Sequence, residues 1–204
     1  MNKPEVSVVV ITYNRKELLK ETIVSIINQT YTDFELLVID NYSEYDFFGF
    51  IEEFNDKRIK PYQNHNHGVI ATNRNLGIQK ATGSFISFCD DDDMWEPEKL
   101  EKQLQAFEQN PDILLVSTRK KSLCKDKLKR GKIKEDIIVS FESLARKNII
   151  ATSSVMVKKG VFDKIGYFDE NIDLRAVEDY DLWLRLLMYK DKSCLVLKDD
   201  LLIY

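Results

Sequence analysis

Residues Ser84 to Leu100 read SFISFCDDDDMWEPEKL, in which an apolar run ends in four consecutive aspartates. The first part, Phe85 to Cys89, has Ser87 as its one polar residue, a pattern typical of a strand that is covered on both faces in a parallel sheet. Asp90 to Asp93 then follow at the carboxyl end of that strand, where parallel α/β sheets place their ligands. We therefore predict an α/β fold with a mostly parallel central sheet flanked by helices.

The four aspartates indicate a cation site. Adjacent carboxylates repel one another, which raises their pKa values unless a cation or backbone donors compensate. A divalent ion that prefers oxygen ligands, Mn²⁺ or Mg²⁺, suits such a site. The structural alternative is a helix cap with charges that complement the helix dipole, because Pro97 and Glu98 predict the start of a helix. Such a cap accounts for only one or two of the four aspartates. An EF-hand loop is excluded, since Met94 and Trp95 occupy a ligand position and the glycine position.

The overall composition indicates one globular domain, residues 1–204. The chain has 204 residues, 44% of them hydrophobic and 31% charged, which is enough for one sizeable core. A net charge of −4 argues against nucleic acid as a partner, because phosphate binding needs a basic surface. Cys89, Cys124 and Cys194 are scattered and odd in number, which favours free thiols in a cytoplasmic protein. No run approaches the roughly 18 apolar residues of a membrane span.

The amino-terminal part supplies further candidate ligands. Val6 to Ile11 is a β-branched run that predicts a central parallel strand. No glycine-rich loop follows it, which counts against a dinucleotide-binding dehydrogenase and a P-loop NTPase. The next predicted strand, Phe34 to Asp40, ends in a carboxylate, which either caps a helix or accepts hydrogen bonds from a base or ribose diol. The sequence alone leaves both roles open.

The segment CDDDDMWEPEKL resembles the Asp-x-Asp region of the family 2 inverting glycosyltransferases, which have the GT-A fold. Cys89 replaces the leucine that is usual in this pattern. The residues that fall on the pattern are Phe88, Asp90, Asp92, Asp93, Trp95, Pro97 and Leu100.

Four other segments extend the resemblance from residue 6 to about residue 187. Residues 6–15, VSVVVITYNR, resemble the opening strand and nucleotide loop of the family. Residues 68–81 resemble its Gly-Val-x-x-Ala-Arg-Asn segment. Arg74 stands at the arginine, where it either reaches a diphosphate or binds the Asp40 region to the Asp90 strand. Residues 161–169 and 176–187 resemble the segments on the acceptor side, the latter with a Glu-Asp pair at the start of a helix.

The resemblance implies a single GT-A-like domain with a role for each half. Residues 1–117 would bind the nucleotide sugar, and residues 118–204 would face the acceptor. Asp92, helped by Asp90, would hold Mn²⁺ or Mg²⁺, and Asp179 would be the general base. The implied contacts to the nucleotide sugar are Thr12, Tyr13, Asn14, Arg15, Asp40, Asn41, Arg74, Asp90, Asp91 and Asp92.

The implied function is transfer of a sugar, with inversion, from a nucleotide sugar to an acceptor hydroxyl. The donor would be a UDP-sugar and the acceptor a saccharide or a lipid-linked glycan, in bacterial-type polysaccharide or glycolipid synthesis. Two rivals stay open. A divalent-ion-dependent sugar- or nucleotide-binding domain would keep Asp40 and Asp92 without needing Asp179. A phosphatase with Asp90 as nucleophile also ends a strand in Asp-x-Asp.

Residues 119–134 form a basic segment. They contain nine Lys or Arg residues against the single acid Asp126. Such a run is usually a solvated loop or hairpin. It also fits peripheral contact with an anionic membrane at the inner face, where each basic residue near the surface contributes about 1 kcal/mol.

Overall fold

The computed structural model describes residues 3–121 and 135–204. In these ranges the chain forms one sheet of nine strands with helices against it. The strands are β1 Val6–Thr12, β2 Phe34–Asp40, β3 Ile59–Gln63, β4 Phe85–Asp90, β5 Met94–Trp95, β6 Leu115–Lys121, β7 Ile137–Val139, β8 Met156–Lys158 and β9 Cys194–Ile203. The helices are α1 Lys16–Ile27, α2 Phe47–Glu52, α3 Ile70–Lys80, α4 Lys99–Gln109, α5 Phe141–Arg146, α6 Phe162–Ile165 and α7 Glu178–Tyr189.

The sheet is mostly parallel, which confirms the predicted fold class. Its strand order is β3-β2-β1-β4-β8-β6-β9-β5, and β7 pairs with β9. Strands β1, β2, β3 and β4 run parallel, as do β6 and β9. The antiparallel pairings are short, with two or three residue pairs each. The carboxyl ends of β1, β2 and β4 therefore meet at one edge of the sheet.

Helices cover both faces of this sheet, which explains the unbroken apolar runs in the central strands. Val8 and Val10 of β1 belong to a core shared with Leu19 of α1 and Leu100 of α4. Val9, between them, faces the opposite core, which α3 and α7 also help to form. A strand with apolar neighbours on both sides needs no alternation of polar and apolar residues.

The segment IIATSSVMVK, residues 149–158, predicts a strand, and the structure corrects this prediction. Thr152–Ser154 form a 3-10 turn and only Met156–Lys158 pair. The Ser154 hydroxyl donates to the Ala151 carbonyl, a local bond that competes with strand pairing. Further along the chain, Cys194–Ile203 form one long strand.

Gly77 sets the distance between α3 and the sheet. A Cβ at this position would lie 2.3 Å from Cγ1 of Val9 in β1. We expect Gly77→Ala to lower the free energy of unfolding by about 1–3 kcal/mol, because overpacking outweighs the gain in helix propensity. Urea unfolding measures this. Gly160→Ala is the control, since nothing lies within 4 Å of its Cβ position, and equal effects of the two substitutions would contradict this account.

The basic segment 119–134 lies mostly outside the described residues, which include only its first three members, at the end of β6. No helix in residues 3–121 and 135–204 is long and apolar enough to cross a membrane. Within the same ranges, Cys89 and Cys194 are buried free thiols, as predicted. Cys124 lies outside the described residues.

Candidate active site

A cavity of about 580 Å³ opens at the carboxyl ends of β1 and β4. We call it the donor cavity, and its volume is within the usual range for small-molecule sites. Eight of the ten predicted nucleotide-sugar contacts line it: Thr12, Tyr13, Arg15, Asn41, Arg74, Asp90, Asp91 and Asp92. Sequence reasoning did not single out its other lining residues, which are Ile11, Asn66, Gly68, Ile70 and Asn73.

The other two predicted contacts, Asn14 and Asp40, do not line the donor cavity. Asp40 is fully buried, and its carboxylate accepts hydrogen bonds from the Ser43 amide at 2.9 Å and from Gln63 Nε2 at 3.0 Å. Asn14 has a φ of 54° and accepts a hydrogen bond from the Glu44 amide. The Asn14 side chain joins the loops after β1 and β2, and the Asp40 side chain joins the loop after β2 to β3. In this structure both residues support the loops around the cavity without lining it.

The loop after β1 is bonded directly to the aspartates after β4. Thr12 Oγ1 donates to Asp91 at 2.8 Å, and Arg15 Nη1 lies 3.1 Å from Asp91 and 2.9 Å from Asp92. Burial raises the pKa of Asp91, while the Thr12 hydroxyl and the Arg15 guanidinium oppose that rise. The Asp92 side chain is 47% exposed. Asp91 is therefore held in place by protein groups, whereas the Asp92 carboxylate remains accessible to a ligand.

The donor cavity suits a divalent ion whose ligands come partly from the protein and partly from a bound substrate. Asp90 and Asp92 both line it and offer the oxygen donors that Mn²⁺ and Mg²⁺ prefer. Within the described part of the chain, no group of three or more His, Cys, Asp or Glu residues lies close enough together to hold a metal ion by itself. Mg²⁺ is ordinarily bound by one or two carboxylates together with water and substrate phosphates. Two accessible carboxylates beside an open cavity match that arrangement.

Arg74 is buried and joins three elements. Its guanidinium lies 2.8 Å from Asp90 at the end of β4 and 2.5 Å from Glu178 at the start of α7. Burial opposes the charge of Arg74, but the two carboxylates outweigh it and raise the pKa of Arg74. The sequence left open a diphosphate contact or a structural link, and the observed ion pairs are the structural link to Asp90. They also tie the donor cavity to α7.

A second cavity, of about 650 Å³, lies on the other side of Asp90. We call it the acceptor-side cavity. Its lining includes Asp93, Asp179, Thr152 and Ser153 near Asp90. Asp90 is the residue that lines both cavities. The remaining wall of the acceptor-side cavity consists of Thr118, Arg119, Lys120, Ile137, Lys147, Asn148, Ile149, Ile150, Ala151, Val196 and Tyr204.

Asp179 faces the acceptor-side cavity from the first turn of α7. One carboxylate oxygen accepts a hydrogen bond from Thr152 Oγ1 at 2.7 Å, and the other accepts one from the Tyr180 amide at 2.6 Å. Burial raises the pKa of Asp179, and the Glu178 charge adds to the rise; the two hydrogen bonds and Arg74 oppose it. The neighbouring Asp181 is paired with Arg185 at 2.8 Å. A partly buried carboxylate with a raised pKa is a suitable proton acceptor.

The sequence pattern did not predict that the turn Thr152–Ser154 is part of the site. Thr152 donates to Asp179, and Ser153 Oγ accepts the Asp90 amide proton at 3.0 Å. The signal in the sequence was the Thr-Ser-Ser run, since hydroxyl side chains often bond to backbone and neighbouring groups in turns. The turn therefore positions carboxylates at the ends of two separate elements.

A buried lysine supports this turn. Lys99 Nζ donates to Gln103 Oε1 at 2.9 Å, and Gln103 Nε2 donates to the Ser154 carbonyl at 2.9 Å. Burial lowers the pKa of Lys99 to about 7, against roughly 10.4 for an exposed lysine. The unfolded chain then binds more protons than the folded one, so the contribution of Lys99 to stability is complete above the unfolded pKa and is lost as pH falls toward 7.

We expect this pKa difference to be measurable as a pH-dependent stability difference. The free energy of unfolding of the wild type, minus that of Lys99→Met, should rise by up to about 1.4 kcal/mol per pH unit between roughly pH 7.5 and 9.5. The Trp95 ring, whose centroid is 3.8 Å from Lys99 Nζ, favours the charged amine and so narrows this pH range from its lower end. Denaturant titrations at several pH values give the difference. A constant difference would mean that Lys99 keeps its ordinary pKa.

Comparison with known proteins now decides the family. The family model described as glycosyl transferase family 2 matches residues 7–166. The chain belongs to glycosyl transferase family 2. An uncharacterized glycosyltransferase of Methanocaldococcus jannaschii is 35% identical over 198 residues, which cover 92% of this chain and 66% of that relative. The recognition of the family from the aspartate region is thus confirmed.

A second family 2 relative has a specific name. It is the UDP-Glc:alpha-D-GlcNAc-diphosphoundecaprenol beta-1,3-glucosyltransferase WfaP of Escherichia coli, 28% identical over 182 residues, which cover 89% of this chain and 70% of WfaP. The fold matches that of S. aureus TarS 1-349 in complex with UDP-GlcNAc, with a TM-score of 0.82 and 22% identity over 98% of this chain and 58% of the TarS chain. The chain described here therefore spans 66% of the Methanocaldococcus jannaschii relative, 70% of WfaP and 58% of the TarS chain.

Proposed function

We propose that this family 2 chain transfers a sugar from a nucleotide sugar to an acceptor hydroxyl with inversion at the anomeric carbon. The observation that carries the proposal is the position of Asp90, which lines both the donor cavity and the acceptor-side cavity. A sugar whose diphosphate occupies the donor cavity would present its anomeric carbon near this boundary. Asp179 would then meet the acceptor from the opposite cavity.

The donor we propose is a UDP-sugar. The names of the two compared proteins include UDP-Glc and UDP-GlcNAc. In the donor cavity, Tyr13 and Asn41 offer a ring and an amide for a base, and Arg15 offers a charge for a diphosphate. We assign Asn14 and Asp40 to the support of the loops that carry Tyr13 and Asn41. Arg74 acts mainly by holding Asp90 in place.

We propose Mn²⁺ or Mg²⁺ as the cofactor, held by Asp92 with help from Asp90. When bound, the ion supplies positive charge against the negative charge that develops on the departing diphosphate. Arg15 lies on the same rim, 2.9 Å from Asp92. Its guanidinium would turn from the carboxylate toward the phosphates once the carboxylate binds the ion.

Asp179 is the proposed general base. An acceptor hydroxyl is a poor nucleophile until its proton is taken by a nearby group as the new bond forms. The Thr152 hydroxyl and the Tyr180 amide fix the orientation of the Asp179 carboxylate. Attack from the acceptor-side cavity, opposite the departing diphosphate, inverts the anomeric configuration.

The proposed acceptor is a saccharide or a lipid-linked glycan, in bacterial-type polysaccharide or glycolipid synthesis at the cytoplasmic side. The Escherichia coli relative is named for a lipid-linked acceptor. The acceptor-side cavity holds exposed apolar side chains, Ile149 and Tyr204 among them, that suit an acceptor with an apolar part. We keep the division into a nucleotide-sugar-binding half, 1–117, and an acceptor-side half, 118–204, as part of this proposal.

A panel of nucleotide sugars tests the function. Thermal shift with Mn²⁺ selects the donor, and the release of UDP is then measured with and without acceptor sugars. Release of UDP that increases with acceptor supports transfer. Binding without release of UDP would identify a binding domain, and release of inorganic phosphate with no sugar transfer would identify a phosphatase.

We also propose that residues 119–134 contact anionic membranes. We expect the protein to sediment with anionic liposomes at low salt and to be released at physiological salt, where the Debye length is about 8 Å. Neutral liposomes are the control. Equal sedimentation with both lipid types, or none with anionic lipid at low salt, would contradict the proposal.

A further inference from the structure

The acceptor-side cavity has two chemically different walls. Its lining carries the carboxylates Asp90, Asp93 and Asp179, which we call the acidic wall, and three cationic side chains, Arg119, Lys120 and Lys147, which we call the basic wall. General base catalysis explains the acidic wall. It does not require the basic one.

An irregular strand pairing brings two of these cations into the same cavity. Consecutive residues of a regular strand point to opposite faces of a sheet. The pairing of β6 with β9 shifts register between Ser117 and Arg119 and again between Arg119 and Lys120. Both Arg119 and Lys120 consequently line the acceptor-side cavity. Such irregularities commonly re-aim side chains beside functional sites.

The basic wall is only weakly neutralised by the protein. Arg119 Nε lies 3.5 Å from Asp200, whose side chain is half-exposed. Among the described residues, neither Lys120 nor Lys147 has a carboxylate within ion-pair distance, and Lys120 Nζ instead lies 3.9 Å from the Tyr204 ring centroid. Lys120 and Lys147 are therefore available to a ligand, and Arg119, whose side chain is 14% exposed, can contribute from the part that lines the cavity.

The acids across the cavity already have other partners. Asp90 is paired with Arg74, and Asp179 accepts hydrogen bonds from Thr152 and Tyr180. Lys120 is close enough to Asp93 to offset part of its charge. Arg119 and Lys147 have no such partner among Asp90, Asp93 and Asp179, so the acidic wall does not explain the basic wall as a whole. The donor diphosphate does not explain it either, because none of the three cations lines the donor cavity.

We infer that the acceptor is an anionic glycan whose phosphate or diphosphate binds Arg119, Lys120 and Lys147 while its hydroxyl meets Asp179. This inference rests on the proposed function and specifies its substrate class. Phosphate oxygens match these donors, Arg119 as a planar fork and the lysines as point charges. The exposed side chains of Ile137 and Ile149 on the same wall would contact an apolar group that follows the phosphate.

Binding of three matched probes, measured by calorimetry without donor, tests the inference. The probes are octyl N-acetylglucosaminide, N-acetylglucosamine 1-phosphate, and N-acetylglucosamine diphosphate with a short prenyl tail. We expect the wild type to bind the phosphorylated probes roughly 10- to 100-fold more tightly than the neutral one, the effect of one or two charged hydrogen bonds. Added affinity from the prenyl tail identifies a lipid-linked acceptor, and equal affinity for both phosphorylated probes identifies phosphate alone; both results support the inference.

Two double variants separate a local contact from general charge. Lys120→Gln with Lys147→Gln should abolish the preference for phosphorylated probes, whereas Lys20→Gln with Lys57→Gln, on exposed lysines away from the cavity, should keep it. Unchanged thermal unfolding and UDP binding establish that the first variant is folded. Equal binding of neutral and phosphorylated probes, or equal losses in the two variants, would overturn the inference. Because no donor is present, the result is independent of whether transfer occurs.

Discussion

Asp179→Asn is expected to reduce sugar transfer by about 10²- to 10⁴-fold, the usual contribution of a general base. The substitution removes the proton-accepting charge with almost no change in volume. Asp179 lines the acceptor-side cavity and not the donor cavity. The affinity for UDP, measured by calorimetry in the presence of Mn²⁺, should therefore stay near the wild-type value.

The same helix provides the matched control for this variant. Asp181 lies two residues further along α7 and is paired with Arg185 at 2.8 Å. Asp181→Asn should reduce stability by about 1 kcal/mol or less, as for a partly exposed ion pair within one helix, and leave the rate of transfer close to that of the wild type. A slow Asp181→Asn variant, or near-normal transfer by Asp179→Asn, would show that the base lies elsewhere.

The pH dependence of the rate gives a second check on Asp179. Burial raises its pKa, and only the ionised carboxylate accepts a proton. The rate of transfer should fall as pH drops through this raised pKa. The remaining activity of the Asp179→Asn variant should not show this fall in rate at low pH.

Asp92→Asn is expected to weaken metal-dependent binding of UDP by roughly 100-fold or more, at least the loss seen when supporting groups of a metal site are removed. In the wild type, EDTA should have a similar effect. The Asp92 carboxylate is the more exposed of the two candidate ligands, since the Asp90 side chain is 37% exposed and paired with Arg74. Calorimetry with UDP, with and without Mn²⁺, measures both effects.

The ion pair between Asp92 and Arg15 makes this prediction specific to the metal. Without Mn²⁺, the variant should bind UDP no more weakly than the wild type, because Arg15 is released from one of its carboxylate partners. Asp163→Asn, on an exposed aspartate in α6, is the control and should change neither value. Equal affinity of wild type and Asp92→Asn in the presence of Mn²⁺ would contradict the metal assignment.

Patterns among neighbouring residues of the sequence predicted strands β1 and β4 and helix α4. The apolar runs of β1 and β4 require burial on both faces, so the parallel sheet and the aspartates at its edge followed from them. Pro97 and the periodic apolar residues Leu100 and Leu104 likewise predicted α4. These features depend on neighbouring residues, and the structure confirms them.

Features that depend on distant partners could not be derived in this way. Arg74 and Glu178 are separated by 104 positions, and nothing near either residue reveals their buried ion pair. Asp40 was expected in the donor cavity because it ends a strand, yet Gln63 and Ser43 occupy its oxygens. Thr152 contacts Asp179 only because a 3-10 turn interrupts the expected strand.

The configuration of the transferred sugar tests the central claim most directly. The protein is mixed with Mn²⁺ and a UDP-α-sugar selected by thermal shift, and NMR follows the anomeric proton of the first product, with an acceptor sugar or with water as acceptor. Attack from the acceptor-side cavity predicts a β-configured product that forms as UDP appears and is lost in Asp179→Asn. A first product that retains the α configuration would contradict a single displacement assisted by Asp179.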